Sequence, residues 1–435
     1  MSSNKGLLAR IYRDYGAMFS GFVFRGMSVA LGFVVTYFVG HHFGAAGSGY
    51  YALITQTGML FSIVVLGGLD FAVVKEFSAA EAGARAVHRG SLWNLLRFIC
   101  VSNAIFMAVF MLLPPEWAQK MIALKPGMTE YLMIAAIMLC RSITRLTGAF
   151  LRSQGELKMG QAVEVIFIPL IVIVAAAVVA YHSTRDVLDM TLLAGAVSAV
   201  IGIAQSFRHT GTSPGNLAVP VRKLIAEGLP LWGLGVSLNL ADWYSVAVVS
   251  GVAGLSAAGV FRVAMQIGTT LMFGVSGVMA ILSAQVARAH HRGDRAEVGR
   301  LNRKAVILNG LVAALPVTVL LVAAPWVLRM VGPEFVQGTA VLRVILFGQV
   351  LYALFSPAGQ TLAMMGHGRI NLMIVLVSTL GYLVLTPVLA YTMGMMGVAI
   401  AMILFLVGRS LACFVFLYFR VGINSLTGHV RALKA

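Results

Sequence analysis

The sequence predicts an all-α polytopic membrane protein, with twelve transmembrane helices in two pseudo-symmetric six-helix lobes around a central cleft. Three observations predict this fold class. Of the 435 residues, 59% are hydrophobic and only 11% are charged, whereas soluble domains carry roughly 25% charged residues. Apolar runs of the roughly 20 residues that span a bilayer core recur along the chain. The pattern of the first half is repeated in the second half.

The predicted helices follow the apolar runs. They cover residues 17–40, 50–72, 91–113, 130–150, 162–181, 191–207, 225–250, 258–285, 305–328, 340–364, 371–391 and 397–419. The first run is too long for a signal-peptide core, so we expect the first helix to be retained as a signal anchor. With the N-terminus inside, cytoplasmic segments hold 21 basic residues and outer loops hold 4. The positive-inside rule therefore predicts that both termini are cytoplasmic.

The two lobes are predicted from an internal repeat with a spacing of 210 residues. The aligned pairs are Gly44 with Gly254, Gly49 with Gly259, Gln56 with Gln266, Gly58 with Gly268, Gly67 with Gly277, Gly83 with Gly293, Arg85 with Arg295 and Pro115 with Pro325, and, after one insertion, Gly155 with Gly366 and Lys158 with Arg369. An even number of helices per repeat gives both halves the same orientation. The predicted domains are an N-terminal lobe (1–207), a cytoplasmic linker (208–223), a C-terminal lobe (224–420) and a basic cytoplasmic tail (421–435).

An arginine ladder lies in the fourth predicted helix. Arg141, Arg145 and Arg152, with Gly148 between them, fall on one helical face. A guanidinium keeps its charge, and at the centre of a bilayer it costs roughly 2.5 to 3.5 kcal/mol on insertion scales. The ladder therefore needs water, an anion or an acidic partner. It predicts one wall of a polar cleft.

Other polar residues within predicted helices are candidates for the same cleft. Arg25 in helix 1 and Asp242 in helix 7 lie on equivalent faces under the repeat, although small residues on those faces also favour close helix packing. Arg409 lies in the middle of helix 12 and is expected to line the cleft. Arg97 either lines the cleft or snorkels to the cytoplasmic surface. Glu164 either pairs with the helix 4 arginines or, like Asp242, takes part in ion or proton coupling.

Three further features keep two interpretations open. Asp70, Lys75 and Glu76, at the cytoplasmic end of helix 2, either bridge helices or gate the cleft. Arg262 either forms a structural bridge to Asp242 or takes part in transport. Arg343 lies so near its helix end that snorkelling is favoured.

The charge balance within the helices favours an anionic ligand. Seven arginines stand against three acids, and the arginine fork suits phosphate. These residues are Arg25, Arg97, Arg141, Arg145, Arg262, Arg343 and Arg409, against Asp70, Glu164 and Asp242. Most other basic residues lie in loops, where they report topology rather than nucleic-acid binding.

The sequence does not predict an enzyme or a metal protein. It contains no HExxH, P-loop or GxSxG motif. Its three cysteines, Cys100, Cys140 and Cys413, all fall inside apolar segments without partners for a disulfide framework or a zinc site. We therefore expect no cofactor.

Three stretches carry a family resemblance: FGAAGSGYYAL (Phe43 to Leu53), GGLDFAVVKEFSA (Gly67 to Ala79) and VAGLSAAGVFRVAMQ (Val252 to Gln266). With the two-lobe pattern, they resemble the multidrug/oligosaccharidyl-lipid/polysaccharide (MOP) superfamily, and within it the O-antigen and exopolysaccharide flippases. The resemblance implies movement of an undecaprenyl-diphosphate-linked oligosaccharide from the inner to the outer leaflet by alternating access. It also implies location in a bacterial inner membrane, contact with membrane lipids and cooperation with other polysaccharide assembly proteins.

The alternative function is a cation-coupled drug or metabolite antiporter of the same superfamily. Antiporters of organic cations are expected to carry acids in the cavity. Here helix 1 carries Arg25 and no acid, and Asp242 is the feature that favours the alternative.

Overall fold

The computed structural model describes residues 2–82, 87–124, 126–212, 217 and 219–431. Its helices are α1 (Ser2–Leu66), α2 (Leu69–Ala82), α3 (Arg89–Met111), α4 (Pro115–Ile122), α5 (Met128–Ser153), α6 (Leu157–Gln161), α7 (Phe167–Ala176), α8 (Thr184–Arg208), α9 (Val221–Thr270), α10 (Met272–His291), α11 (Arg295–Val331), α12 (Thr339–Met364) and α13 (Gly368–Phe416). Two π-helical turns (Ala162–Ile166 and Leu417–Val421) and a 3-10 turn (Pro333–Gly338) complete the helical structure.

Nine helical segments of the described residues are long and apolar enough to cross a membrane. Three of them bend at a glycine with positive φ, namely Gly44 in α1, Gly254 in α9 and Gly394 in α13. Only glycine adopts this conformation without steric cost. Each bend separates two spans, so the described part of the chain crosses the membrane twelve times, as predicted.

The predicted repeat is visible in the backbone. Gly44 has φ 66° and ψ −170°, and its repeat partner Gly254 has φ 86° and ψ 172°. The pair aligned after one insertion, Gly155 and Gly366, have φ 79° and 84°. The same bend therefore follows the first span of each half, and the same turn ends the fourth.

The helix ends differ from the predicted ones where polar residues extend a helix beyond its apolar run. The span predicted at 305–328 begins at Arg295, because the side chain of Asp294 caps the helix by accepting from the backbone N–H of Glu297 at 2.8 Å. The loop predicted at 114–129 contains α4, which starts with Pro115. Hydropathy detects only the part of a helix that matches the hydrocarbon thickness, so such extensions escape it.

The chain divides into two compact units. The first comprises Met1–Val39 and Tyr50–Val236, and the second comprises Gly40–Gly49 and Ser237–Ala435. In the first unit, buried apolar side chains around Phe77 and Phe150 join α2, α3 and α5. Strands β1 (Val87–His88) and β2 (Thr210–Gly211) form a short parallel pair beside them.

Candidate functional site

In the first unit, Arg145 of the ladder forms an ion pair with Asp70. Its Nη2 donates to Asp70 Oδ2 at 2.8 Å, and the two side chains are only 18% and 11% exposed. Two positive-φ glycines, Gly67 and Gly68, end α1 and let α2 restart at Leu69. Asp70 thus lies in the first turn of α2, where the helix dipole stabilises a carboxylate. Of the two roles left open for Asp70, this ion pair is that of a bridge between α2 and α5.

Arg152, at the other end of the ladder, forms an ion pair with Glu164. Glu164 lies in the π-helical turn Ala162–Ile166. The wider turn leaves backbone carbonyls available to side chains from neighbouring helices. The Val163 carbonyl accepts from Ser198 Oγ at 2.7 Å, and the Glu164 carbonyl accepts from Arg141 Nη1 at 3.4 Å.

Gly148 explains how the ladder reaches this turn. A Cβ at Gly148 would lie 2.7 Å from the Gly160 carbonyl oxygen, and a Cβ at Gly160 would lie 2.5 Å from that of Gly148. The backbones of α5 and α6 are therefore in direct contact. This contact brings Arg152 and Arg141 to the carboxylate and the carbonyl of Glu164.

The structure thus gives the ladder mainly internal partners. Arg145 and Arg152 each have a carboxylate, and Arg141 has a long hydrogen bond to a carbonyl. Three cations against two acids leave an excess of one positive charge. The sequence allowed water, an anion or an acid as partners, and acids are found at two of the three positions.

The second unit holds a separate polar group centred on Asp242. Asp242 is exposed, although its neighbours Ala241 and Trp243 are buried. The charges that act on its carboxylate are those of Arg262 and Arg409. Because an ionised side chain within a membrane span is costly in contact with lipid, an exposed carboxylate here indicates contact with water. One acid and two arginines again leave one excess positive charge.

Arg409 is held by aromatic side chains. Its guanidinium lies 5.5 Å from the ring centre of Tyr352 and 5.4 Å from that of Phe405, and Nη2 donates to Tyr352 Oη at 3.3 Å. Cation–π contacts of this kind stabilise a guanidinium away from bulk water. They orient Arg409 without neutralising it.

The remaining predicted arginines belong neither to the arginine ladder nor to the Asp242 group. The side chain of Arg25 lies outside the described residues. Arg97 is exposed and lies 5.1 Å from the ring centre of the exposed Trp93, an arrangement that favours snorkelling over the cleft. Arg343 Nε donates to the Leu321 carbonyl at 3.1 Å on an exposed surface.

The sequence left open whether Lys75 and Glu76 bridge helices, and it did not identify their partners at the start of α9 in the first unit. Lys75 Nζ donates to Glu227 Oε2 at 3.2 Å, and Lys223 Nζ donates to Glu76 Oε2 at 2.9 Å. Beside them the backbones touch, since a Cβ at Gly68 would lie 2.4 Å from the Gly228 carbonyl oxygen. The signal available in the sequence was the alternation of charge in both segments.

These ion pairs predict a pH window for the α2–α9 contact. Hydrogen bonding to Glu76 raises the pKa of Lys223 above 10.5, and hydrogen bonding from Lys75 lowers the pKa of Glu227 below 4.5. Because the pKa of Lys223 is raised in the folded protein, its ion pair stabilises the fold below pH 10.5, and this stability is lost as pH rises through the folded-state pKa. Because the pKa of Glu227 is lowered in the folded protein, its ion pair stabilises the fold above pH 4.5, and this stability is lost as pH falls through the folded-state pKa. We expect Glu227→Gln to lower the melting temperature slightly between these limits and to match the wild type in acid.

The control for this pH series is Glu156→Gln, which removes an exposed carboxylate elsewhere in the first unit. Melting temperatures of the purified variants at a series of pH values test the prediction. An equal difference at all pH values would contradict it.

Comparison with known proteins supports the fold over the full length of the chain. A multidrug resistance MATE family transporter of the MOP superfamily, in an inward-facing conformation, has a TM-score of 0.72 at 14% identity, covering 92% of this chain and 94% of that chain. The MATE multidrug transporter DinF-BH in complex with R6G has a TM-score of 0.64 at 15% identity, covering 95% and 96%. Neither a family model nor a curated protein matches the sequence.

A third structure belongs to the same superfamily but differs in the chemistry of its pocket. It is a MOP superfamily transporter from Pyrococcus furiosus, described as having a binding pocket of reverse polarity that suggests a different function. Its TM-score is 0.63 at 15% identity, covering 93% of this chain and 95% of that chain. These likenesses confirm the predicted fold class, with twelve transmembrane helices in two six-helix lobes. The named neighbours of the MATE family differ from the flippase branch that the sequence suggested.

Proposed function

We propose that the chain is a cation-coupled antiporter that moves a drug-like or metabolite solute across the membrane. Asp242, an exposed carboxylate within a membrane span, is the observation that carries this proposal. The full-length likeness to transporters of the multidrug type supports it. Intramembrane carboxylates in such positions typically serve proton or ion pathways.

The proposed coupling is competition at Asp242. The carboxylate binds either a proton or a hydrogen-bond donor of the solute, so the two occupants exclude each other. Arg262 and Arg409 act on the same carboxylate and disfavour a solute with net positive charge. The solute is therefore neutral or zwitterionic, and the rings of Tyr352 and Phe405 beside Arg409 suit an amphiphilic one.

We expect Asp242→Asn to abolish gradient-driven transport while leaving the fold intact. The amide has nearly the same shape as the carboxylate, but it takes up no proton near neutral pH and carries no negative charge. When one ligand is coupled to another, it typically changes the affinity for the other about 5- to 150-fold, and the variant should lose this factor. The measurement is uptake of fluorescent amphiphiles into proteoliposomes under imposed H⁺ or Na⁺ gradients. The control is Asp189→Asn, which removes an exposed carboxylate near the start of α8. Unchanged coupling in Asp242→Asn would contradict the proposal.

A second candidate is the flippase for an undecaprenyl-diphosphate-linked oligosaccharide. The specific observation that favours it is the excess of arginine, above all Arg141, whose hydrogen bond is to a carbonyl instead of a carboxylate. A diphosphate would supply the missing anion through the guanidinium fork. In this function, Arg25, Arg97, Arg145 and Arg409 remain candidate contacts, and Glu164 a candidate coupling group. Other polysaccharide assembly proteins are then its partners.

The same proteoliposomes distinguish the two functions. A flippase exposes a fluorescent lipid-linked oligosaccharide to a membrane-impermeant quencher and leaves soluble amphiphiles untransported. In cells, its deletion accumulates lipid-linked glycan in the inner leaflet, whereas deletion of an antiporter changes dye resistance with glycan export unchanged. For both functions we propose location in the bacterial inner membrane with both termini in the cytoplasm.

A further inference from the structure

A basic cavity lies near the start of α11 in the second unit, apart from the Asp242 group. It has a volume of about 330 Å³ and is lined by Arg300, Arg303, Lys304, Ile307 and Leu308. Its lining thus combines three basic residues with two apolar ones. This composition matches a phosphate group attached to a hydrocarbon chain.

The apolar part of the cavity continues along the membrane-facing side of α11. Ile307 is 50% exposed, and Leu311 and Leu315, each four residues further on, are 65% and 75% exposed. Residues at this spacing follow one face of a helix. Large apolar side chains this exposed on a membrane span face lipid, so the cations lie where the head groups meet an acyl-chain surface.

The spacing of the cations favours a bound anion. Arg300 lies three and four residues before Arg303 and Lys304 on α11, and like charges at these spacings on a helix repel one another. Arg300 Nη2 lies 2.7 Å from Glu297 Oε2, with the Arg300 side chain 71% exposed and that of Glu297 31% exposed, so one of the three cations has an acidic partner. The base of the Arg303 side chain packs against Gly428, where a Cβ would lie 3.3 Å from Arg303 Cβ. This contact fixes the point from which the guanidinium extends.

The repeat provides an internal comparison. The positions 210 residues earlier hold Gly90, Trp93, Asn94, Arg97 and Phe98, with one cation instead of three. Membrane topology alone would place cations at the equivalent ends of both halves. The cluster in the second half therefore exceeds what orientation in the membrane requires.

We propose that this cavity binds the phosphate head group of an anionic membrane phospholipid, with an acyl chain along Ile307 and Leu311. Basic pockets at the cytoplasmic ends of transmembrane helices suit such head groups. The lipid is a bound constituent of the membrane and differs from the transported solute, so the site does not depend on the proposed function.

Native mass spectrometry of the purified full-length protein tests the site. The probes are phosphatidylglycerol, zwitterionic phosphatidylethanolamine and soluble glycerol phosphate. We expect the wild type to bind phosphatidylglycerol in preference to the others. The double variant Arg303→Gln with Lys304→Gln should bind it about thirty-fold more weakly, since each basic side chain near an anionic surface contributes a factor of roughly five.

Two further variants make the outcome decisive. Arg369→Gln with Arg420→Gln removes two exposed cations of the same unit outside the cavity and should bind like the wild type. Arg303→Lys with Lys304→Arg keeps the charges and should retain most of the binding. Equal weakening in both glutamine double variants, equal binding of the two phospholipids, or competition by glycerol phosphate at lipid concentrations would each overturn the proposal.

Discussion

Asp70→Asn is expected to destabilise the protein by about 3 to 5 kcal/mol, because it leaves the guanidinium of Arg145 buried without its charge partner. The pair is well shielded, with side chains 18% and 11% exposed and a contact of 2.8 Å. Arg145 Nε already has no hydrogen-bond partner in the described part of the structure. When Asp70 is replaced, Arg145 Nη2 therefore has no spare acceptor nearby to take the place of the carboxylate. Unfolding by SDS in mixed micelles measures the change.

A double variant separates the structural role of this pair from a role in transport. Replacing both residues by leucine removes the two charges together, and such replacements are often close to neutral in stability. If Arg145 only stabilises the fold, Asp70→Leu with Arg145→Leu should restore both stability and transport. If Arg145 also contacts the solute, stability should return without transport.

Lys75→Gln is the matched control for Asp70→Asn. It removes a charge from the same helix, but the Lys75 side chain is 70% exposed, compared with 22% for its partner Glu227. Exposed pairs contribute little to stability, so a much smaller effect is expected. An Asp70→Asn protein that unfolds at the same SDS fraction as Lys75→Gln would contradict the assignment of a buried ion pair.

The features that sequence reasoning predicted are those with a local physical cause. Span length follows from hydrocarbon thickness, and the bends at Gly44 and Gly254 follow from a backbone conformation that glycine adopts without steric cost. The arginine ladder was visible because helical periodicity places its members on one face. Its need for partners followed from the cost of buried charge.

The identity of most partners could not be predicted, because it depends on helix packing. Asp70 reaches Arg145 across 75 residues of chain, and Lys223 reaches Glu76 across 147. The π-helical turn that carries Glu164 has no hydrophobic period of its own, so it was predicted as part of an ordinary helix. The extension of α11 to Arg295 depended on a cap at Asp294 that hydropathy does not register.

Gly259→Ala is expected to lower stability by about 3 kcal/mol, near the upper end of the range for overpacking. A Cβ at Gly259 would lie 1.9 Å from the Ala45 carbonyl oxygen, and a Cβ at Gly49 would lie 2.0 Å from the Leu255 carbonyl oxygen. The opposing atoms are backbone, so no change of side-chain rotamer relieves the clash. The two segments must move apart, which breaks the close approach that small residues allow between membrane helices.

Gly408→Ala is the matched control, since a Cβ there would meet no atom within 4 Å. It should be neutral or slightly stabilising, because alanine has the higher helix propensity. A Gly259→Ala protein that unfolds at the same SDS fraction as Gly408→Ala would contradict the close backbone contact.

The reciprocity of this contact gives a sharper test than either single variant. Gly49 maps onto Gly259 and Ala45 onto Leu255 under the 210-residue repeat, so the two clashes are equivalent and share one interface. Separating the segments to accommodate one methyl group also makes room for the other. Gly49→Ala with Gly259→Ala should therefore cost clearly less than the sum of the single variants, since residues that share a backbone shift are coupled. Additive costs would mean that the two glycines lie at independent contacts.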